Sequence, residues 1–205
     1  MDQITRVFTK KRGDYLQKFE FKTYSIIFAK PPVDKAKSNF QKLLKWMRFA
    51  FIYGLPSNIG EYETCSAART PQPKEIIPLL GDENELAALM QGCNYRGYSQ
   101  YQHETALAHL LKHDKKALAT EMPLWINAEQ SPNGKPWGGS VDLVRVKDQT
   151  IEICDFKPDA NKVNQKQVSA QIYRYMWMIH KQAGIPLDDI QGVYFDEKNA
   201  YSIKI

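Results

Sequence analysis

Two apolar runs joined by a polar tip, SVDLVRV and TIEICDF, fall within residues 140–156 of the 205-residue chain. Val141, Leu143, Val144 and Val146 surround Asp142, and Ile151 and Ile153 lead up to Asp155, Phe156 and Lys157. This density of β-branched residues, interrupted by Lys147-Asp148-Gln149, reads as a hairpin of two strands buried in a sheet. A charge among such strands is costly unless it is paired or bound to a cation. Asp142, Asp155 and Lys157 therefore either make an ion pair at a strand end or hold a metal. Strand side chains alternate between faces, so Asp155 and Lys157 share the side of Ile151 and Ile153, with Asp142 on the neighbouring strand. Two converging carboxylates suit a hard divalent cation, Mg²⁺ or Mn²⁺. A lysine beside it can orient a water or stabilise developing charge on phosphorus. The set fits hydrolysis of a phosphodiester better than most other reactions.

The flanking chain supplies a sheet for this hairpin. Residues 99–114, SQYQHETALAHLLKHD, place Leu107, Leu110 and Leu111 on one helical face. A strand is expected over 116–127, a turn-rich loop over 128–139, and a second helix over 165–184, closed by Gly184 and Pro186. Strands over 190–196 and 200–205 complete the order helix, three strands, helix, two strands, an α/β sheet with flanking helices. Upstream, 6–30 reads as two or three strands turning at Gly13-Asp14. Pro31-Pro32 is a break, 35–54 a helix, 55–81 irregular, and 82–92 a short helix with an acidic first turn. The expected division is a basic, aromatic extension over 1–96 and a core over 97–205.

Charge and cysteine content narrow the functional classes. Residues 1–50 hold twelve Lys/Arg against four Asp/Glu, a net +8, and 51–205 hold sixteen against nineteen, a net −3. A basic segment on a mildly acidic remainder suits a polyanionic partner, or is a solvated face. Cys65, Cys93 and Cys154 are odd in number and lack CxxC spacing. A disulfide framework, a structural zinc and an iron–sulfur cluster are therefore not expected. No apolar run is long enough to cross a bilayer and no secretory pattern opens the chain, so a cytoplasmic protein with no membrane partner is expected. Walker-type and GxGxxG loops are missing from the sequence.

Asp142, followed thirteen positions later by Asp155-Phe156-Lys157, resembles the signature of the PD-(D/E)xK nucleases. The RecB-like group is the nearest match, with G-x-x-D, then D-x-K, then Q-x-x-x-Y on the next helix. Here these read Gly139-Ser140-Val141-Asp142, Asp155-Phe156-Lys157, and Gln171 to Tyr175. The resemblance covers residues 97–205 and implies a restriction-endonuclease-like core, αβββαβ, with a central mixed sheet flanked by helices. It implies Asp142 and Asp155 as ligands of Mg²⁺ or Mn²⁺, aided by the carbonyl of residue 156, with Lys157 as catalytic lysine. Gln171 and Tyr175 would position the lysine, a water or the DNA backbone. Their alternative is a helix face packed on the sheet.

The group's first motif sits on the helix preceding the strands, and Gln102-His103-Glu104 offers both residue types found there. Ala106 and Leu107 after His103 favour the histidine as a metal ligand, with Glu104 as the catalytic alternative and a solvated pair as the plain reading. Glu121, sharing a side with Ala119 and Trp125, either extends the carboxylate cluster or faces water. His109, His113 and His180 read as surface residues. Trp137 either stacks on a base or caps the core. Lysines interleaved with aromatics (Lys18, Phe19, Phe21, Lys22, Tyr24; Lys42, Lys45, Trp46, Arg48) suit backbone contacts with base stacking, or a core.

The expected activity is metal-dependent hydrolysis of DNA, single- or double-stranded, with RNA as an alternative substrate. The same chemistry in a toxin or effector, or a non-cleaving nucleic-acid-binding module, are the rival readings. End-trimming, internal cutting and oligomeric state are left open.

Overall fold

The computed structural model describes residues 10–12, 15–17, 20–21, 35–53, 56, 58, 61–65, 75–93, 100–147 and 150–204. The turn expected at Gly13-Asp14 and the break at Pro31-Pro32 lie outside them. The chain forms, in order, β1 (Lys10–Arg12), β2 (Tyr15–Gln17), β3 (Glu20–Phe21), α1 (Lys35–Tyr53), β4 (Glu63–Thr64) and β5 (Glu75–Leu79). It continues with α2 (Glu85–Gln91), α3 (Gln100–His113), β6 (Ala117–Ile126), β7 (Trp137–Lys147) and β8 (Thr150–Phe156). It ends with α4 (Gln165–Ala183), β9 (Ile190–Phe195) and β10 (Ala200–Lys204). The strand β5 lies where an irregular stretch was expected.

The architecture is α/β, a mixed central sheet flanked by helices. The strands run β3-β6-β7-β8-β9-β10-β5, with β4 parallel to the start of β7, and β1 and β2 form a separate pair. Strands β6, β7 and β8 are an antiparallel meander, whereas β8 and β9 are parallel and joined through α4. Strands β3, β4 and β5 come from the first 96 residues yet pair within this same sheet.

Both faces of the sheet are covered, which explains why β7 and β8 are apolar on both sides. One face buries Ile151 and Ile153 with Trp46 and Met47 of α1 and Ile172 and Met176 of α4. The other buries Cys154 and Phe156 with Leu107 and Leu110 of α3 and Leu86 and Met90 of α2. Each fully buried Leu or Ile contributes about 1.5–3 kcal/mol. Helix α4 begins at Asn164, whose side chain accepts from the Gln167 amide. It lies so close to β9 that a Cβ at Gly192 would stand 2.5 Å from Ile172 Cγ2, so only glycine fits beneath the helix.

One sequence expectation changes here, that of His109 and His180 as surface residues, and two open alternatives resolve. Trp46, left open above between base stacking and the core, is buried against Trp125 and donates its Nε1–H to Gln182. His109 and His180 are half-buried rather than on the surface, His109 Nε2 lying 3.0 Å from Leu89 O and His180 Nδ1 2.7 Å from Ile185 O. Trp137 is buried beneath the Arg174 guanidinium, 4.6 Å from its ring, which places it in the core. The side chains of Lys18, Phe19, Phe21, Lys22 and Tyr24 lie outside the described residues.

Candidate metal centre

The β7–β8 ladder runs from Lys147↔Thr150 to Leu143↔Cys154, and the next residues in the same register are Asp142 and Asp155. Past that point the Phe156 amide donates not to a ladder carbonyl but to Asp142 Oδ2, at 2.7 Å. The carboxylate thus replaces a strand and leaves a notch where the two chains part. On its other edge β8 continues beside β9, with Lys157 N donating to Phe195 O at 2.8 Å. Lys157 is therefore held at the rim of the sheet.

Two further groups close on this notch. His103, in the first turn of α3, lies with Nε2 3.1 Å from Asp142 Oδ2 and Nδ1 3.5 Å from Glu121 Oε1. Glu121 is bracketed by the pairs Thr120↔Leu143 and Met122↔Val141, which sets it opposite Asp142. Its φ of 49° is left-handed, a conformation that costs roughly 1–3 kcal/mol for a non-glycine residue and occurs where surrounding structure imposes it. Ligand atoms of His103, Glu121 and Asp142 all lie within 4.8 Å of one another. Glu104 is exposed on the same helix.

Asp155 belongs to a second line of contacts. Its Oδ1 accepts from Gln171 Nε2 at 3.2 Å, and the same amide donates to Tyr175 Oη at 2.9 Å. Gln171 and Tyr175, one turn apart on α4, are both buried and hold Asp155 from behind. Gly139 makes room for this: a Cβ there would stand 3.0 Å from the Tyr175 ring and 3.3 Å from Cys65 Sγ. Asp155 Oδ2 lies 2.5 Å from Lys157 Nζ. Lys157 is thus the cation that faces this buried oxygen.

The electrostatics follow from the crowding. Burial, together with the charge of Asp142, lifts the Asp155 carboxyl to about 6 in spite of Lys157. Burial also opposes ionisation of Asp142, but His103, Lys157 and the Phe156 amide outweigh it and hold that carboxyl below its usual value. Burial disfavours a charged His103, yet Asp142, Glu121 and Asp155 raise it to about 9. Lys157 is likewise raised, because Asp155 and Asp142 outweigh its burial. Three carboxylates face one lysine and one histidine. With His103 neutral the group is left at −2, a deficit one divalent cation cancels.

Comparison of the chain with family models, curated proteins and solved structures finds no match. The site must therefore be read from its own chemistry. Its donor set of one imidazole and several carboxylates fits a divalent cation held by His103, Glu121 and Asp142, with Asp155 adjoining.

Sequence reasoning overlooked a second buried ionic group on the same two strands. Arg145, three residues from Asp142, pairs in register with Glu152, three residues from Asp155. The Arg145 guanidinium donates to Asp114 Oδ2 at 2.6 Å, Glu152 Oε2 at 2.5 Å and Glu85 Oε2 at 2.9 Å. Lys116 lies 2.7 Å and Lys147 3.8 Å from Glu85. The available signal was the mirror placement of Arg145 and Glu152 about the hairpin tip.

Proposed function

We propose that this chain is a metal-dependent deoxyribonuclease with a restriction-endonuclease-like core, hydrolysing phosphodiester bonds with Mg²⁺ or Mn²⁺. The order of α3, β6, β7, β8, α4 and β9 supports that fold reading. The observation that carries the activity is the like-charged pair Asp142 and Asp155 in one register, with Lys157 at their rim and His103 and Glu121 closing the notch.

A divalent cation held here would supply Lewis-acid charge and lower the pKa of a coordinated water. The remaining work falls to side chains of this chain. Asp142 is immobilised by the Phe156 amide, and Asp155 by Gln171, so neither reorganises when a substrate arrives. Lys157 keeps its ammonium partly exposed, 26% by side chain, where it can hold a phosphate oxygen and offset charge building on it. Gln171 and Tyr175 are positioning residues, since both are buried behind Asp155. Three free thiols, Cys65 and Cys154 of them buried, suit a reducing cytoplasm, and no described helix is long and apolar enough to cross a membrane.

The test is cleavage of linear, circular and single-stranded DNA by purified protein, with chelator, Mg²⁺ or Mn²⁺. Cleavage should require the metal. It should fall at least about a hundredfold in Asp142→Asn, Asp155→Asn and Lys157→Ala, each checked for fold by circular dichroism. Wild-type rates in all three folded variants would defeat the proposal.

A further inference from the structure

Helix α1 carries five Lys/Arg and no Asp/Glu over its 19 residues. Its inner side is spoken for, with Phe40, Leu43, Trp46, Met47 and Ala50 in the core. The outer side is unusual for a surface helix. Lys45, Arg48, Phe49 and Tyr53 are all exposed, Phe49 at 49% and Tyr53 at 72%. Spacings of three and four residues place them on one face. The two rings lie 4.8 Å apart between centroids and tilt by 40°, so they stand as a pair with outer faces open to solvent. Exposed aromatics bordered by cations form a stacking platform with an electrostatic rail. Duplex DNA offers such rings no free base face, whereas an unpaired strand does.

The platform is tied to the candidate centre. Trp46 of α1 packs on Trp125 with centroids 5.7 Å apart, and Trp125 lies four residues along β6 from Glu121, about 13 Å. Lys42 anchors the helix further by donating to Gly184 O at 3.1 Å.

We infer that the outer face of α1 is a docking surface for single-stranded DNA, with bases stacking on Phe49 and Tyr53 and phosphates on Lys45 and Arg48. Delivery of that strand to the notch rests on the nuclease reading; docking does not. Binding of a fluorescein-labelled oligo(dT) is measured by anisotropy in chelator, over a range of salt, so that no cleavage intervenes. Phe49→Ala/Tyr53→Ala should weaken binding about tenfold or more with the salt slope unchanged. Lys45→Ala/Arg48→Ala should weaken it and reduce the slope by about 1.4. All four positions are exposed, so circular dichroism should match wild type. Wild-type binding by both double variants overturns the inference, as do equal dependence on these residues for duplex DNA and loss of a protein dimer in Phe49→Ala/Tyr53→Ala. Binding with the expected dependences but no cleavage under Mn²⁺ sinks the nuclease reading and leaves the docking surface standing.

Discussion

Strands β7 and β8 carry two buried ionic groups three residues apart, and the groups are opposites. At Arg145 and Glu152 the register pairs unlike charges, and Asp114, Glu85, Lys116 and Lys147 complete a cluster of three cations and three carboxylates. At Asp142 and Asp155, the next positions along those strands, like charges meet, and with Glu121 three carboxylates face Lys157 and His103, an excess that grows to two once a metal displaces the His103 proton. A balanced buried cluster holds the fold together, and breaking it exposes an uncompensated charge. An unbalanced one stores electrostatic strain that a cation relieves. Burial of charge is therefore common to both, and the sum of the charges separates scaffold from site.

Substitutions should part the two groups most widely. Arg145→Ala removes the guanidinium that pairs the buried carboxylates of Asp114 and Glu152 and should cost about 3–5 kcal/mol, lowering Tm by roughly ten degrees. Asp155→Asn in chelator should leave Tm unchanged or raised, because it removes the repelled carboxylate. A fall as large as that of Arg145→Ala, read by calorimetry, would show the two groups to be alike. Next in size is metal addition. Mn²⁺ at a hundredfold its Kd should stabilise the protein by about 2.7 kcal/mol. That gain should vanish in Asp142→Asn, His103→Ala and Glu121→Gln, and survive in Glu104→Gln.

The pH dependence is smaller. His103 is raised from 6.5 to about 9, so its charged form stabilises the metal-free fold. That contribution is fully present below pH 6.5 and is lost as pH rises through about 9. Chemical denaturation in chelator should show this decline in wild type and a flatter profile in His103→Ala. Least of all, Gly139→Ala presses a methyl on Tyr175 and should lower the cleavage rate a few-fold with Mn²⁺ binding retained. An unchanged rate would detach Tyr175 from the site.

Much of this was legible in the chain. The helices α1, α3 and α4 and the meander β6-β7-β8 follow from periodicity, since burial of one face or two leaves its mark on neighbouring residues. Strand β5 escaped notice because Glu75–Leu79 contains Pro78, tolerated only because β5 is an edge strand. Arg145 escaped because two of its partners, Glu85 and Asp114, stand outside the hairpin. Trp46 stayed open between a stacking role and the core because a helix rich in lysine does not announce which side meets a neighbour.

The local pattern was enough to mark Asp142, Asp155 and Lys157 as out of place in apolar strands, because the cost of burying charge depends on burial, and burial is written in the adjacent residues. It could not bring His103 between Asp142 and Glu121, turn the Glu121 backbone into a left-handed conformation, or set Gln171 behind Asp155. Those placements depend on where α3 and α4 cross the sheet. Such crossings are decided by the packing of side chains distant in sequence, to which short-range periodicity is blind.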